Sequence, residues 1–138
     1  MTTNDHEQST TRRAGMEKMK EVYGWNVDPD TIAGPYVDVT VDHLFGEIWT
    51  RPGLALRDRR LLTIGALSAL GLPHLLDIQF TAAFEREELT DVEARELVVH
   101  LAHYVGWPLS TGLNESVEKI IARRAKAAAE RDERENHD

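Results

Sequence analysis

Residues 49–71 read WTRPGLALRDRRLLTIGALSALG. An aromatic residue precedes a Pro-Gly turn, and the run that follows opens with charges and becomes apolar. Between Leu61 and Leu70, the side chains Leu61, Leu62, Ile64, Ala66, Leu67, Ala69 and Leu70 leave no polar face. The hydroxyls of Thr63 and Ser68 can bond back to the preceding turn of a helix. A helix that is apolar all round is surrounded by other protein. The run is too short, and too charged at its start, to span a bilayer. It is therefore read as the central helix of a helical domain, with the flanking segments packed around it.

On the N-terminal side, residues 1–11 are polar and read as a disordered tail. Residues 12–23 form an amphipathic helix on Met16, Met19 and Val22, stopped by Gly24. Residues 25–39 hold two prolines, Gly34 and several Asp, so they read as loop, pinned to the surface by Trp25, Ile32 and Tyr36. A helix follows from residue 38 or 40 to residue 50, with Val41, Leu44, Phe45, Ile48 and Trp49 apolar, and Pro52-Gly53 turns the chain.

On the C-terminal side, Gly71 and Pro73 punctuate, and Pro73 suits the first turn of a new helix. That helix begins at His74 and stops near Glu85, because the acidic run EREE opposes the dipole at a helix C-terminus. Thr90 and Glu93 have the spacing of a capping box, with Leu89 stapled onto Ala94. The helix they open runs through Tyr104 to Gly106, with Ala94, Leu97, Val98, Leu101 and Val105 as its core stripe. Trp107-Pro108 makes a corner, and Asn114 or Ser116 caps a last helix with Val117, Ile120, Ile121 and Ala125 on one face. Residues 127–138 form a polar tail with nothing apolar to bury. No segment alternates with period two. The expectation is one all-α domain over residues 12–126, with about six helices and short connections.

The 138 residues suffice for one domain with a real core. Sixteen basic against 24 acidic residues give a net charge of -8, which argues against nucleic acid or an anionic membrane as the main partner. There is no cysteine, which excludes disulfides, thiolate metal sites and thiol-dependent peroxidase chemistry. The N-terminus carries no apolar stretch that would serve as a secretion signal, so a cytoplasmic location is expected.

Phe45-Gly46-Glu47-Ile48-Trp49, Arg51-Pro52-Gly53-Leu54, Arg57-Asp58-Arg59 and the apolar helix appear in this order, followed by Leu89-Thr90, Glu93, Glu96, His100, Tyr104, Gly106 and Pro108. In this order and spacing, over about two-thirds of the chain, they resemble the carboxymuconolactone decarboxylase family. The resemblance implies a small all-helical protein that assembles as a ring homo-oligomer, trimer or hexamer, with pockets between packed helices near subunit contacts. It also implies a lyase that removes carbon dioxide from a small carboxylated lactone or related ring-cleavage product of aromatic catabolism, without a cofactor. Two positions depart from the family's Glu-Leu-x-x-His pattern after the apolar helix: Leu75 stands in place of the glutamate and Gln79 in place of the histidine.

Losing carbon dioxide from a lactone acid leaves a dienolate, which needs an oxyanion donor and a returned proton. Gln79 can donate a hydrogen bond but cannot transfer a proton; its alternative reading is a buried amide tying helices together. His100 and His103 are able to trade protons near neutral pH. They sit at i and i+3, with Glu96 one turn before His100 and Tyr104 adjacent, so the sharp reading is an acid/base pair oriented by Glu96. The alternatives are a polar subunit contact or, with a loose ligand spacing, a metal site; no metal is expected. Arg51, Arg57, Arg59 and Arg60 gather at the start of the central helix, where cations oppose the dipole and need another partner. A substrate carboxylate is one candidate, on Arg59 above all and Arg51; salt bridges are the other. Trp49 and Trp107 are candidate pocket walls beside Tyr104, or simply core. The competing functional readings are a diverged enzyme catalysing isomerisation or hydration of another apolar substrate, and a non-catalytic oligomeric binding protein.

Overall fold

The computed structural model describes residues 3–25, 28, 31 and 34–138. The first two residues of the expected tail, and Ile32 as a loop anchor, lie outside the described residues. Every regular element among the described residues is helical: α1 Thr3–Tyr23, α2 Pro35–Val39, a π-helical segment Thr40–Ile48, α3 Leu56–Leu70, α4 Pro73–Glu85, α5 Asp91–Val105 and α6 Trp107–Glu135. No described helix is long and apolar enough to cross a membrane.

Two compact units divide the chain, Met1–Leu61 and Leu62–Asp138, with the division inside α3. In the first unit α1 packs against the π-helical segment. Met19 and Val22 meet Val41 and Phe45, with Tyr23, Val37, Trp49 and Leu56 around them. Two glycines permit the close approach of these backbones. A Cβ on Gly15 would lie 2.0 Å from the Val41 carbonyl oxygen, and one on Gly46 would lie 2.8 Å from that of Thr11. Arg12 reaches from α1 to Asp38 and Asp42, each at 3.2 Å. Trp25, Tyr23, Phe45 and Trp49 form a chain of ring contacts at 5.5, 5.3 and 6.1 Å. Burial, and to a smaller degree Tyr36, pushes the Tyr23 phenol above its ordinary pKa.

The α-helix expected up to residue 50 is instead a short α2 continued by a π-helix, closed by the Trp49 amide donating to the Leu44 carbonyl at 2.9 Å. An i→i+5 turn leaves no distinct mark in an apolar pattern this short, so periodicity alone does not separate it from an α-helix. Helix α1 also starts at Thr3, ahead of the expected residue 12.

In the second unit α6 packs on both α4 and α5. Phe80, Phe84, Ala94, Val98, Leu113 and Val117 are buried there. Arg95 grips Glu118 with two bonds of 2.8 and 3.0 Å, and Lys119 reaches Asp77 at 2.8 Å. Arg124 pairs with Asp91 at 3.3 Å and lies 4.7 Å over the Phe84 ring. The expected capping box is present: the Glu93 amide donates to Thr90 Oγ1 and the Thr90 amide to Glu93 Oε1, both at 3.1 Å. Helix α4 ends at Glu85, where the acidic run was expected to stop it.

Helix α6 departs from expectation at both ends. Gly106, at φ 87°, makes the corner by itself, and Pro108 then sits in the first turn, where its missing N–H is no loss. The helix therefore begins at Trp107, not at Asn114 or Ser116. It runs on to Glu135 because Ala and Lys favour helix even without an apolar face to bury. The central helix departs as well. Ile64 and Ser68 of α3 are buried, but Leu62 and Leu70 are exposed among the described residues.

Candidate functional site

The site is built where α5 runs antiparallel into α6 across the Gly106 corner. Because α6 starts at Trp107, the residues Trp107, Ser110, Thr111 and Asn114 recur at i, i+3, i+4 and i+7 and share one helix side. Facing them from α5 are Val98, Val99, Ala102 and His103. These eight residues line an open groove of about 290 Å³. Its floor is largely apolar, with Val98 and Ala102 buried, and Ser110 is buried beside them.

Three groove side chains are held by bonds to helix carbonyls. His103 Nδ1 lies 2.7 Å from the Val99 carbonyl oxygen, one turn back on α5. A carbonyl only accepts, so Nδ1 carries the proton, and the neutral ring has its lone pair on Nε2. The His103 ring meets Trp107 edge-on, with centroids 5.5 Å apart and planes at 78°. The Ser110 and Thr111 hydroxyls both donate to the Trp107 carbonyl, at 3.1 and 2.9 Å, which fixes the first turn of α6. Asn114, exposed on the groove lining, adds an amide. The groove thus offers an apolar floor, one imidazole and one neutral amide donor.

The sequence-derived residues divide. His103 and Trp107 share the groove. His100 does not line it; its ring lies 5.0 Å from that of Tyr104, and both are exposed on α5. Glu96 is exposed one turn before His100, and among the described residues no hydrogen bond joins it to His100 or His103. No group of three or more His, Asp or Glu among the described residues is gathered so as to hold a metal ion, so Glu96, His100 and His103 form no such set. Gln79 is buried, 5% exposed, on α4, and is not among the groove residues. Leu75 is exposed.

Trp49, Arg51 and Arg59 belong to the first unit. Trp49 stacks on Phe45 and packs against that unit's core. Arg59 Nη2 donates to the Arg51 carbonyl at 3.0 Å, bracing the turn that precedes α3. Arg60, 1% exposed, donates from Nη1 to the Val22 carbonyl at 2.8 Å. That carbonyl lies in the last turn of α1, so the cation that opposes the dipole of α3 favours that of α1. Ser110, Thr111 and Asn114 are not legible as groove residues from a last helix that starts at Asn114 or Ser116. The signal was present in Pro108 following Gly106.

The chain belongs to the carboxymuconolactone decarboxylase family, whose model matches residues 35–118, and its described elements are all helical. The match contains α3, α4, α5 and all eight groove residues. Two relatives stand beside it. The chain is 37% identical over 77 residues to the 4-carboxymuconolactone decarboxylase of Acinetobacter baylyi, an alignment covering 56% of this chain and 57% of that protein. It is 30% identical over 115 residues to the nitrosuccinic acid decarboxylase npaB of Metarhizium robertsii, covering 77% and 78%.

Proposed function

We infer that the chain is a decarboxylase acting without a cofactor on a small carboxylic acid, and that His103 returns the proton to carbon. The supporting observation is the 2.7 Å tie from His103 Nδ1 to the Val99 carbonyl, which leaves Nε2 as the exchanging nitrogen over an apolar floor. The relatives are named for removing carbon dioxide from different acids, so their common ground is the step and not one substrate.

In that step the bond from carbon to the carboxylate breaks, and carbon dioxide leaves without the electron pair. The pair passes into a neighbouring acceptor, as an enolate or its equivalent. Protonated His103 then donates from Nε2 to carbon and is recharged from water. The apolar floor favours this by raising the energy of the carboxylate relative to the delocalised anion. In this reading Asn114, on the groove lining, donates to the developing oxyanion. A carboxylated lactone or related ring-cleavage product fits these requirements, and a homo-oligomer, trimer or hexamer, would close the open groove. Carbon dioxide release from 4-carboxymuconolactone and from nitrosuccinic acid, compared between the wild type and His103→Gln, tests this reading.

A second reading is favoured by one observation. Gln79 is buried, at the position where the resemblance implies a histidine. A chain with Gln79 there, orienting the substrate by its amide while His103 moves the proton, suits isomerisation or hydration of an apolar substrate. Turnover of such a substrate without carbon dioxide release would support it.

A further inference from the structure

Ser110 and Thr111 are neighbours at the start of α6, and both line the groove. Their hydroxyls donate to the same oxygen, the Trp107 carbonyl, at 3.1 and 2.9 Å. A hydroxyl has one hydrogen and two lone pairs. With both hydrogens committed to that carbonyl, each oxygen meets the groove as an acceptor. Among the described residues no donor reaches either oxygen. Ser110 is 4% exposed, so bulk water serves its lone pairs poorly, and a buried acceptor without a partner costs free energy that a ligand's donor recovers. Thr111 is exposed beside it and presents the second oxygen.

We propose that this pair accepts a hydrogen bond from a hydroxyl of the substrate, so that the acids the groove selects are hydroxy acids. The inference deepens the decarboxylase reading and rests on it. Ser110 and Thr111 decide which acid is preferred, not how its carbon–carbon bond breaks. Position fits this role. The His103 and Trp107 rings are 5.5 Å apart, and Thr111 stands one turn beyond Trp107, about 6 Å along the helix. A substrate with its reacting carbon beside His103 therefore reaches the pair with a group about one ring's width away. A groove of about 290 Å³ with apolar walls suits an acid of that size. Charge selects a hydroxyl over an ammonium as the donor. The eight lining residues carry no carboxylate, so an ammonium would shed water without gaining a counter-charge, whereas a neutral hydroxyl exchanges one hydrogen bond for another. An analogue lacking the hydroxyl leaves the acceptors bare, and that is the source of the discrimination.

The test is calorimetric binding of 4-hydroxybenzoate, benzoate and 4-methoxybenzoate to the full chain, with NMR shifts of the His103 ring marking the groove. The hydroxy acid is expected to bind about 3–10-fold more tightly than the other two, the scale of one hydrogen bond. Ser110→Ala with Thr111→Val is expected to bring that ratio to about one, because the acceptors are gone. Benzoate binding that holds in the double variant shows the groove intact, and Thr111→Ser alone should keep the preference. A wild-type ratio near one, a ratio that survives in the double variant, or a hydroxy acid that binds without moving the His103 signals overturns the proposal. Absence of binding by all three probes overturns it as well. The ratio is read from binding and not from turnover. A preference that follows the two hydroxyls in a protein releasing no carbon dioxide would keep this selection and remove only the decarboxylase reading.

Discussion

The His103 ring and the Val99 carbonyl, one turn apart on α5, are joined by a 2.7 Å bond through Nδ1. This sets the tautomer of the neutral ring and leaves Nε2 for chemistry. Nitrogen-resolved NMR of the histidine rings above their titration range should therefore show His103 protonated at Nδ1. A ring protonated at Nε2 would remove the geometric basis for its role.

Gly15→Ala should destabilise the fold. Alanine gains helix preference worth ~1 kcal/mol within α1. Its Cβ would nevertheless fall 2.0 Å from the Val41 carbonyl oxygen, and a backbone atom cannot swing aside as a side chain does. Overpacking of this kind costs roughly 1–3 kcal/mol, with the helices forced apart. A lower urea midpoint with an unchanged slope is expected; a higher midpoint would mean that α1 does not approach the π-helical segment so closely.

Thr90→Ala should lower stability by about 1 kcal/mol, the usual worth of an N-cap side chain. It removes the acceptor for the Glu93 amide and leaves the box half formed. Thr90→Ser should keep most of the stability. Thermal melts of the two variants check this, and equal losses would show that the methyl group, not the hydroxyl, matters at this position.

Asp77 and Lys119 give a pH dependence of known sign. Burial acts to raise the Asp77 pKa, but the hydrogen bonds from Lys119 and Ser116 and the nearby charges of Lys119 and Arg123 outweigh it, so the carboxyl titrates below its ordinary 3.8. A depressed folded pKa means the contribution is complete above the unfolded value and is lost as pH falls through the folded one. Both side chains are partly exposed, so solvent screening keeps the contribution at the scale of a surface pair, about 0–1 kcal/mol. Lys119→Met should cost stability at neutral pH and progressively less as pH drops below about 4. A penalty that stays constant over that range would show that the ion pair is not its source.

Much of the second unit could be read from the sequence, because its signals are local. Thr90 and Glu93 fix the start of α5 by direct bonds, and the acidic run after Phe84 marks the end of α4. Gly106 reads as a stop in the sequence, but Trp107-Pro108 reads as the corner that Gly106 alone makes, which leaves the α6 wall of the groove illegible. The all-apolar run of α3 was identified, yet an apolar pattern records that a face wants covering and not what covers it. The buried Arg60 was out of reach for a different reason. Its partner is the Val22 carbonyl, and no residue type marks which distant backbone oxygen a guanidinium will reach.

The central claim is that His103 supplies the proton in a decarboxylation within the α5–α6 groove. The most direct measurement is the rate of carbon dioxide release from 4-carboxymuconolactone and nitrosuccinic acid by the wild type, His103→Gln and His100→Gln. The account predicts release from at least one acid, a loss of about 10²–10⁴-fold in kcat for His103→Gln, and a rate for His100→Gln close to the wild type. Wild-type rates in His103→Gln, or a collapse confined to His100→Gln, would contradict it.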